Sequence, residues 1–161
     1  MFKLDTGTTL ADLRALQEAL QKVDDRRLTV AKATAQYAAN DVRERIQLRG
    51  QNSAGETMLT SSVKKVGRYS ESHGKVRQKE GLTTSIINLT FSGELLNGDS
   101  WTVIPDGEDG YGAGFREANM SERAGYMEDL FGDVFNMSPD EEQAAIDYFN
   151  DAISDIMNST F

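Results

Sequence analysis

The sequence contains no cysteine, one histidine and two prolines among its 161 residues, and it has no apolar run long enough for a membrane-spanning helix. The absence of cysteine excludes disulfides, a thiolate nucleophile and thiolate metal ligands. The opening stretch, MFKLDTGTTLADL, also lacks the apolar core of a secretory signal. We therefore expect a chain that works without a membrane and without a metal or other cofactor.

The single histidine, His73, lies in a polar stretch that is rich in serine and glycine. Catalysis of the Ser-His-Asp kind needs a histidine that is held rigidly beside a serine, and a histidine in a loop is more often a surface residue. A small hydrolase that uses His73 is therefore an alternative function and not the favoured one.

Residues 106–117, DGEDGYGAGFRE, have the length of a calcium-binding EF-hand loop. The match fails at Tyr111, which stands where that loop needs glycine, and at Gly110, which has no side-chain ligand. The alternate glycines do not precede a helix either, as a nucleotide-binding loop would require. We therefore predict a β-hairpin around residues 99–116, with its turn at 106–110.

The net charge of −9 hides an uneven distribution along the chain. Residues 1–92 have an excess of five positive charges, whereas residues 93–161 have an excess of fourteen negative charges. One interpretation is a solvated acidic helix. The other is a polarised subunit whose basic part meets the acidic part of a neighbour. An acidic face would also repel the phosphates of DNA in a passage.

The chain length suits a single domain over residues 1–161, with an α+β fold. We predict helices at both ends that pack on a small, mostly antiparallel β-sheet. Ser138-Pro139-Asp140-Glu141 is the clearest helix start, because it combines a capping serine, a proline in the first turn and a capping-box glutamate. The other predicted elements are helices at 9–23, 27–49 and 120–131, a strand at 87–91 and the hairpin.

Residues 51–80, called the arm below, are rich in serine, glycine and charge and show little periodicity. This composition predicts a long flexible loop. Between residues 64 and 79 the arm has six basic residues against one acid, Glu71. We favour docking on an acidic neighbour over contact with DNA, because no aromatic-interleaved nucleic-acid module is visible.

The stretch from Arg77 to Leu95, RQKEGLTTSIINLTFSGEL, joins a basic segment, a glycine, an alternating apolar segment and a Ser-Gly step. It follows a helix that ends with DVRERI, and FNMSPDE at 135–141 places an aromatic residue before a Ser-x-x-Glu helix start. In this order the motifs resemble those of tailed-bacteriophage morphogenesis proteins, the small neck, head–tail connector or tail-completion subunits of the virion. The resemblance spans about residues 28–157, with Met58-Leu59 where the family often has Trp or Phe.

The resemblance implies a non-enzymatic structural subunit in a sixfold or twelvefold homo-oligomeric ring at the head–tail junction. Its location would be the virion tail or neck, and the host cytoplasm during assembly. The implied partners are neighbouring portal, adaptor, tail-terminator or tail-tube proteins, while DNA passes through the lumen without sequence-specific binding. Another accessory protein of the virion head or tail is the alternative within this class.

The same resemblance implies that Gly81 and Gly93 are structural corners, with Gly93 at the point where the strand turns into a short helix. No catalytic, cofactor-binding or metal-binding residue is expected. The last helix should bury Ile146, Phe149 and Ile153 and turn its acids outward. We predict a subunit interface that pairs the arm of one copy with the last helix of the next. The candidate interface residues are Lys64, Lys65, Arg68, Lys75, Arg77, Lys79, Glu142, Asp151 and Asp155.

Overall fold

The computed structural model describes residues 6–108 and 110–159, without the side chains of residues 6–9. This part of the chain has the α+β fold that the sequence predicts, with four α-helices and, instead of one small sheet, two antiparallel sheets of two strands each. The elements in chain order are α1 (Thr6–Glu44), a π-helical turn (Arg45–Arg49), β1 (Lys65–Val66), β2 (Tyr69–Ser70), α2 (Glu71–Lys79), β3 (Trp101–Asp106), β4 (Gly110–Phe115), α3 (Ala118–Phe131) and α4 (Pro139–Asn158).

The first helix is longer than predicted, because α1 runs without a break through residues 24–26, where the sequence analysis separated two helices. The polar stretch there contains no glycine or proline, and its side chains support the helix. Arg27 and Asp24 form an ion pair of 3.2 Å, and Gln21 donates a hydrogen bond of 2.9 Å to Asp25. The helix ends as predicted at Gly50, which adopts a left-handed conformation with a φ of 63°.

The core lies where the C-terminal half of α1 packs against α4 and the β3–β4 hairpin. The two helices are antiparallel. Tyr37 stacks on Tyr148 with ring centroids 4.9 Å apart, and Arg45, eight residues further along the chain, bonds to Glu141 near the start of α4. Trp101 anchors the hairpin, because its indole nitrogen donates a hydrogen bond of 2.9 Å to the Ala39 carbonyl oxygen. Apolar burial at this junction is the main stabilising contribution.

Two predicted elements of the C-terminal half are confirmed. The hairpin pairs Trp101 with Phe115 and Asp106 with Gly110, while Asp109 of the predicted turn lies outside the described residues. At the start of α4, the Ser138 side chain accepts a hydrogen bond from the Glu141 backbone, and the Glu141 side chain accepts one from the Ser138 backbone. The hairpin and the capping box both depend on residues that are close together in the sequence, so no distant contact is needed to form either of them.

The predicted strand at 87–91 is wrong, because these residues form an irregular segment. Side chains, and not a neighbouring strand, satisfy part of its backbone. The Asn88 side-chain oxygen accepts a hydrogen bond from the Thr90 amide at 3.2 Å, and the Tyr69 hydroxyl accepts one from the Asn88 amide at 3.3 Å. Leu89 has a positive φ of 50°, which a regular strand does not allow. The expected strand-to-helix corner at Gly93 is therefore also wrong.

The arm is not a loop throughout. Residues 71–79 form α2, and β1 and β2 form a two-stranded hairpin in which Lys65 pairs with Ser70. Gly67, in the turn of this hairpin, lies against the Thr84 carbonyl oxygen, which also accepts a hydrogen bond of 2.8 Å from the Arg68 amide. The arm thus packs on the segment that follows it, although its flexibility in solution stays a prediction.

Candidate functional site

The exposed lysines of the arm form a surface around α2 and the β1–β2 hairpin. Lys64, Lys65, Lys75 and Lys79, called the basic surface below, are all exposed. The Lys75 ammonium lies 2.6 Å from a carboxylate oxygen of Glu71, one helical turn earlier. An exposed pair of this kind is weak, at about 0 to 1 kcal/mol. The charges of this surface are therefore available to a partner.

Two other basic residues predicted for the interface are placed differently. Arg68 is half buried. Arg77 is only 1% exposed, and it lies inside the subunit rather than on the surface where the sequence analysis put it. Its guanidinium donates hydrogen bonds to the carbonyl oxygen of Thr83 at 2.8 Å and that of Thr90 at 2.7 Å. A third bond of 3.1 Å goes to the side-chain oxygen of Asn88. Arg77 therefore holds the following segment in place.

The second surface consists of exposed acids on α4. Asp147, Asp151 and Asp155 recur every four residues along one side of the helix, whereas Glu142, nine residues before Asp151, lies on the opposite side. Glu142, Asp147, Asp151 and Asp155, called the acidic surface below, are all exposed. Gln143 donates a hydrogen bond of 2.9 Å to the Asp147 carboxylate. The three predicted interface residues of this helix thus project outward, as the sequence analysis expected.

Two residues of α4 differ from expectation. Ile146 is 47% exposed instead of buried, and it lies beside the acidic surface. Glu141 turns inward, where it accepts a hydrogen bond of 2.9 Å from Arg45, a residue that is 3% exposed. The remaining donors of Arg45 bind the backbone oxygens of Gln51 at 3.2 Å, Val134 at 3.1 Å and Asn136 at 2.7 Å.

The basic and acidic surfaces do not meet within one subunit. Among the described helices and strands, α2 contacts β1 and β2, whereas α4 contacts α1. No described contact joins α4 to an element of the arm. The two surfaces therefore lie on separate parts of the molecule, and they can pair with each other only between two copies.

An apolar cavity of about 320 Å³, called the groove below, opens between the arm, the segment after it and α3. Phe91 and Leu130 lie at its edge and are 50% and 65% exposed. Tyr69 forms part of the wall, and its ring lies 4.4 Å from the guanidinium carbon of Arg77. Burial raises the pKa of the Tyr69 hydroxyl, and the positive charge of Arg77 partly opposes this effect.

His73 is exposed and lies in the wall of the groove between two aromatic rings. Its ring centroid is 5.2 Å from that of Tyr69 and 5.6 Å from that of Phe91. Across residues 6–108 and 110–159, no serine or carboxylate forms a hydrogen bond with His73. This geometry gives no support to the alternative in which His73 serves a hydrolase.

The two predicted corner glycines both have a positive φ, 70° at Gly81 and 81° at Gly93. Glycine is the residue that adopts this conformation at least cost, so the chain bends at both positions. Gly81 follows the end of α2, whereas Gly93 lies between irregular segments. After Gly93, Glu94 pairs with Arg123 of α3 at 3.1 Å, and this hydrogen bond lowers the pKa of the Glu94 carboxyl.

The sequence analysis missed the groove and the burial of both arginines. Arg77 looks in the sequence like its exposed neighbours Lys75 and Lys79, so nothing local indicates that it is buried. A signal for the groove was present, because Ile87, Leu89 and Phe91 all line it. Their alternation marks an apolar wall and not a strand.

Searches of protein-family models, curated proteins and solved structures find no match for this chain. None of the described helices combines the length and the apolar character that crossing a membrane requires. Within the described ranges, no group of three or more acidic or histidine side chains is placed to hold a metal ion.

Proposed function

We propose that this chain is a non-enzymatic structural subunit of a phage virion that forms a ring at the head–tail junction, around the DNA passage. The order of motifs between residues 28 and 157 suggests the class of protein. The observation that carries the proposal is the separation of two exposed surfaces of opposite charge on one small subunit.

A ring needs two different contact surfaces on every subunit. In a closed ring, one face of each copy meets a different face of the next, so the two faces must complement each other. The basic surface of one copy and the acidic surface of its neighbour meet this requirement. Opposite charges on two surfaces mainly raise the association rate of the subunits and fix their relative orientation. They add less to the binding affinity. Apolar contacts must therefore supply most of the binding free energy.

The acidic part of the subunit also suits a channel that DNA must pass. Residues 93–161 have an excess of fourteen negative charges, which repel phosphates at short range. Such a subunit could line or flank the passage without retaining DNA. Portal, adaptor, tail-terminator or tail-tube proteins would be its neighbours along the axis of the virion. A head or tail accessory protein elsewhere in the virion remains the alternative.

The proposal is tested by measuring the mass of the purified full chain by light scattering and sedimentation over a range of salt concentrations. We expect closed rings, visible by electron microscopy, whose association weakens modestly as salt rises because exposed charges are screened. Antibody labelling of virions should locate the chain at the head–tail junction. A chain that stays monomeric at all concentrations, or that labels another part of the virion, would contradict the proposal.

The contribution of charge is tested with Glu142→Gln, Asp151→Asn and Asp155→Asn combined. Exposed pairs contribute about 0 to 1 kcal/mol each, so the Kd of association should rise by about ten-fold. The matched control neutralises three exposed acids away from α4, namely Glu18→Gln, Asp99→Asn and Glu108→Gln. Both triple variants change the net charge equally. Equal effects of the two would show that net charge, and not the acidic surface, governs association.

A further inference from the structure

The seam where α1 packs against α4 contains a pair of stacked tyrosines. The rings of Tyr37 and Tyr148 are nearly parallel, with an interplanar angle of 11° and centroids 4.9 Å apart. This separation is typical of an offset stack, in which the edge of one ring lies over the other. The chain has five tyrosines, all in the part that the structure describes, and no other two of them are in ring contact.

Solvent reaches both rings of this pair. Tyr148 is 40% exposed, and Tyr37 is half buried. Tyr69, by contrast, is buried. Tyr126 is exposed, but it lies on α3, where its hydroxyl donates a hydrogen bond of 3.0 Å to Glu122. The Tyr37–Tyr148 pair therefore combines ring-to-ring contact with access for a small reagent.

Asp41 lies beside the hydroxyl of Tyr37, one helical turn further along α1. The negative charge of Asp41 raises the pKa of the Tyr37 hydroxyl, and burial and a hydrogen bond to the Asp41 carboxylate raise it further. The phenolate is therefore disfavoured, so Tyr37 loses an electron most readily when its proton leaves at the same time. Desolvation raises the pKa of the Asp41 carboxyl, which makes it a better acceptor for that proton. Water can accept the proton of the exposed Tyr148.

We propose that Tyr37 and Tyr148 form a site of oxidative cross-linking, at which a peroxide-driven one-electron oxidant joins α1 to α4 through a carbon–carbon bond. Each ring loses one electron and one proton and becomes a phenoxyl radical. The two radicals combine at ring carbons next to the hydroxyls, and the hydrogen on each of these carbons then moves to the oxygen, which restores both phenols. The peroxide takes up the two electrons as its oxygen–oxygen bond breaks, and the two protons pass to solvent.

The bond would give this chain a covalent link that it otherwise lacks. Without cysteine the chain forms no disulfide. Residues 37 and 148 are about 110 positions apart, and closing a loop of this length restricts the unfolded chain in the way that a disulfide does. The equilibrium constant for unfolding should therefore fall by a factor of roughly 1,000 in the cross-linked chain.

The test is a brief irradiation of the purified full chain with a ruthenium photosensitiser and persulfate, a peroxide. We expect dityrosine fluorescence in a band of monomer mass on a denaturing gel. Mass spectrometry of the digested band should show the peptides of Tyr37 and Tyr148 joined, with the loss of two hydrogens. The same irradiation in concentrated urea should give about ten-fold less of this product, because folding raises the effective concentration of the two rings.

Two matched variants separate this pair from the other tyrosines. Tyr148→Phe keeps the aromatic ring but removes the phenol, so the product within one chain should disappear. Tyr126→Phe removes a phenol that is more exposed, at 57% against 40%, and should leave the product unchanged. Circular dichroism of both variants checks that the fold is kept.

Each outcome decides the inference. A product that joins Tyr37 to Tyr148, is lost in Tyr148→Phe and persists in Tyr126→Phe supports it. Products only between chains, a link within one chain between other tyrosines, or no link in a folded chain would overturn it. A cross-linked chain that unfolds at the same urea concentration as the untreated chain would overturn the stabilising effect of the bond. None of these results depends on ring formation, so the proposed function is tested separately.

Discussion

Two buried arginines stabilise two different regions of this molecule, and their hydrogen-bond partners differ in charge and in distance along the chain. In the body, formed by the second half of α1, the β3–β4 hairpin, α3 and α4, Arg45 pairs with the carboxylate of Glu141 and joins segments about ninety residues apart. In the arm, Arg77 binds only neutral oxygens, and these lie within thirteen residues of it. The contacts of Arg45 join distant parts of the chain, whereas those of Arg77 stay within the arm and the segment that follows it.

This contrast implies two levels of stability. Loss of a contact between distant segments opens the whole cooperative unit, whereas loss of a local contact opens only its surroundings. The basic surface is on the arm, and the acidic surface is on the body. Variants that act on one region and not on the other can therefore separate folding from assembly.

The largest effect is expected for Arg45→Ala. It leaves Glu141 without its cation and three backbone oxygens without a donor, and removing one partner of a buried pair costs about 3–5 kcal/mol. Urea unfolding should show this loss, together with faster hydrogen exchange throughout the body. Glu142→Gln, an exposed position next to Glu141, is the control and should be nearly neutral. A loss of less than about 1 kcal/mol in the free energy of unfolding would contradict the proposed difference between body and arm.

The second-largest effect is expected from alanine substitutions of two glycines. Gly67 lies in the turn of the arm's hairpin, and Gly93 bends the chain outside the arm. Gly67 and Gly93 both have a positive φ, but a Cβ at Gly67 would collide with the Thr84 carbonyl oxygen, and a Cβ at Gly93 meets nothing within 4 Å. Gly93→Ala should therefore cost about 1 kcal/mol from backbone strain alone. Gly67→Ala should cost about 2–4 kcal/mol, since strain and overlap add. Hydrogen exchange should locate the damage of Gly67→Ala in residues 65–84. Equal costs at the two positions would mean that the arm does not pack on Thr84 in solution.

A smaller and more local effect is expected for Arg77→Met. The methionine keeps apolar volume but leaves three oxygens without their donor, at about 1–3 kcal/mol. Protection from hydrogen exchange should fall over residues 69–90 and stay unchanged in the body. Lys79→Met, on the exposed side of the same helix, is the control. If the arm is unprotected already in the wild-type monomer, the predicted flexibility of residues 51–80 is confirmed and Arg77→Met changes nothing.

The smallest effect concerns Asp41, beside the Arg45–Glu141 pair. Desolvation raises the pKa of the Asp41 carboxyl, and the charges of Glu141 and Glu44 raise it further, so its ionised form is disfavoured in the folded state. This destabilisation is present at neutral pH and disappears as the pH falls through the raised pKa. Asp41→Asn should therefore raise the free energy of unfolding slightly at pH 7, by no more than about 0.5 kcal/mol, and Tm should rise with it. The gain should vanish once the pH is low enough to protonate Asp41 in both the folded and the unfolded state. A gain that persists at low pH would have another cause.

The parts of the fold that the sequence predicted are those with local causes. The capping box at Ser138 and Glu141 needs only four residues, and the hairpin from Trp101 to Phe115 follows from its turn. The break predicted within α1 failed because charge alone does not end a helix. The strand at 87–91 failed because its backbone groups bond to side chains of its own segment and of the arm.

Only part of the candidate site could be predicted from the sequence, because only some of its features have local causes. Exposure of Lys64 or Asp151 follows from their chemistry, since single charges are seldom buried. The burial of Arg77 depends on carbonyl oxygens that the fold brings to it, and no pattern in the sequence reports them. Leu10, Leu13, Leu16 and Leu20 have helical spacing in the sequence. Their exposure of 41–57% depends on where α4 ends, and that is a property of the whole molecule.

The N-terminal part of α1 is long enough to convert a small tilt into a large displacement of its tip. From about residue 27, the last position that α4 reaches, back to Thr6 the helix extends about 32 Å, at 1.5 Å per residue. A tilt of about 10° at residue 27 then displaces the tip by about 5.5 Å, which is about one helical turn. In the proposed ring, small rocking movements of each body would be magnified at the tip of this helix.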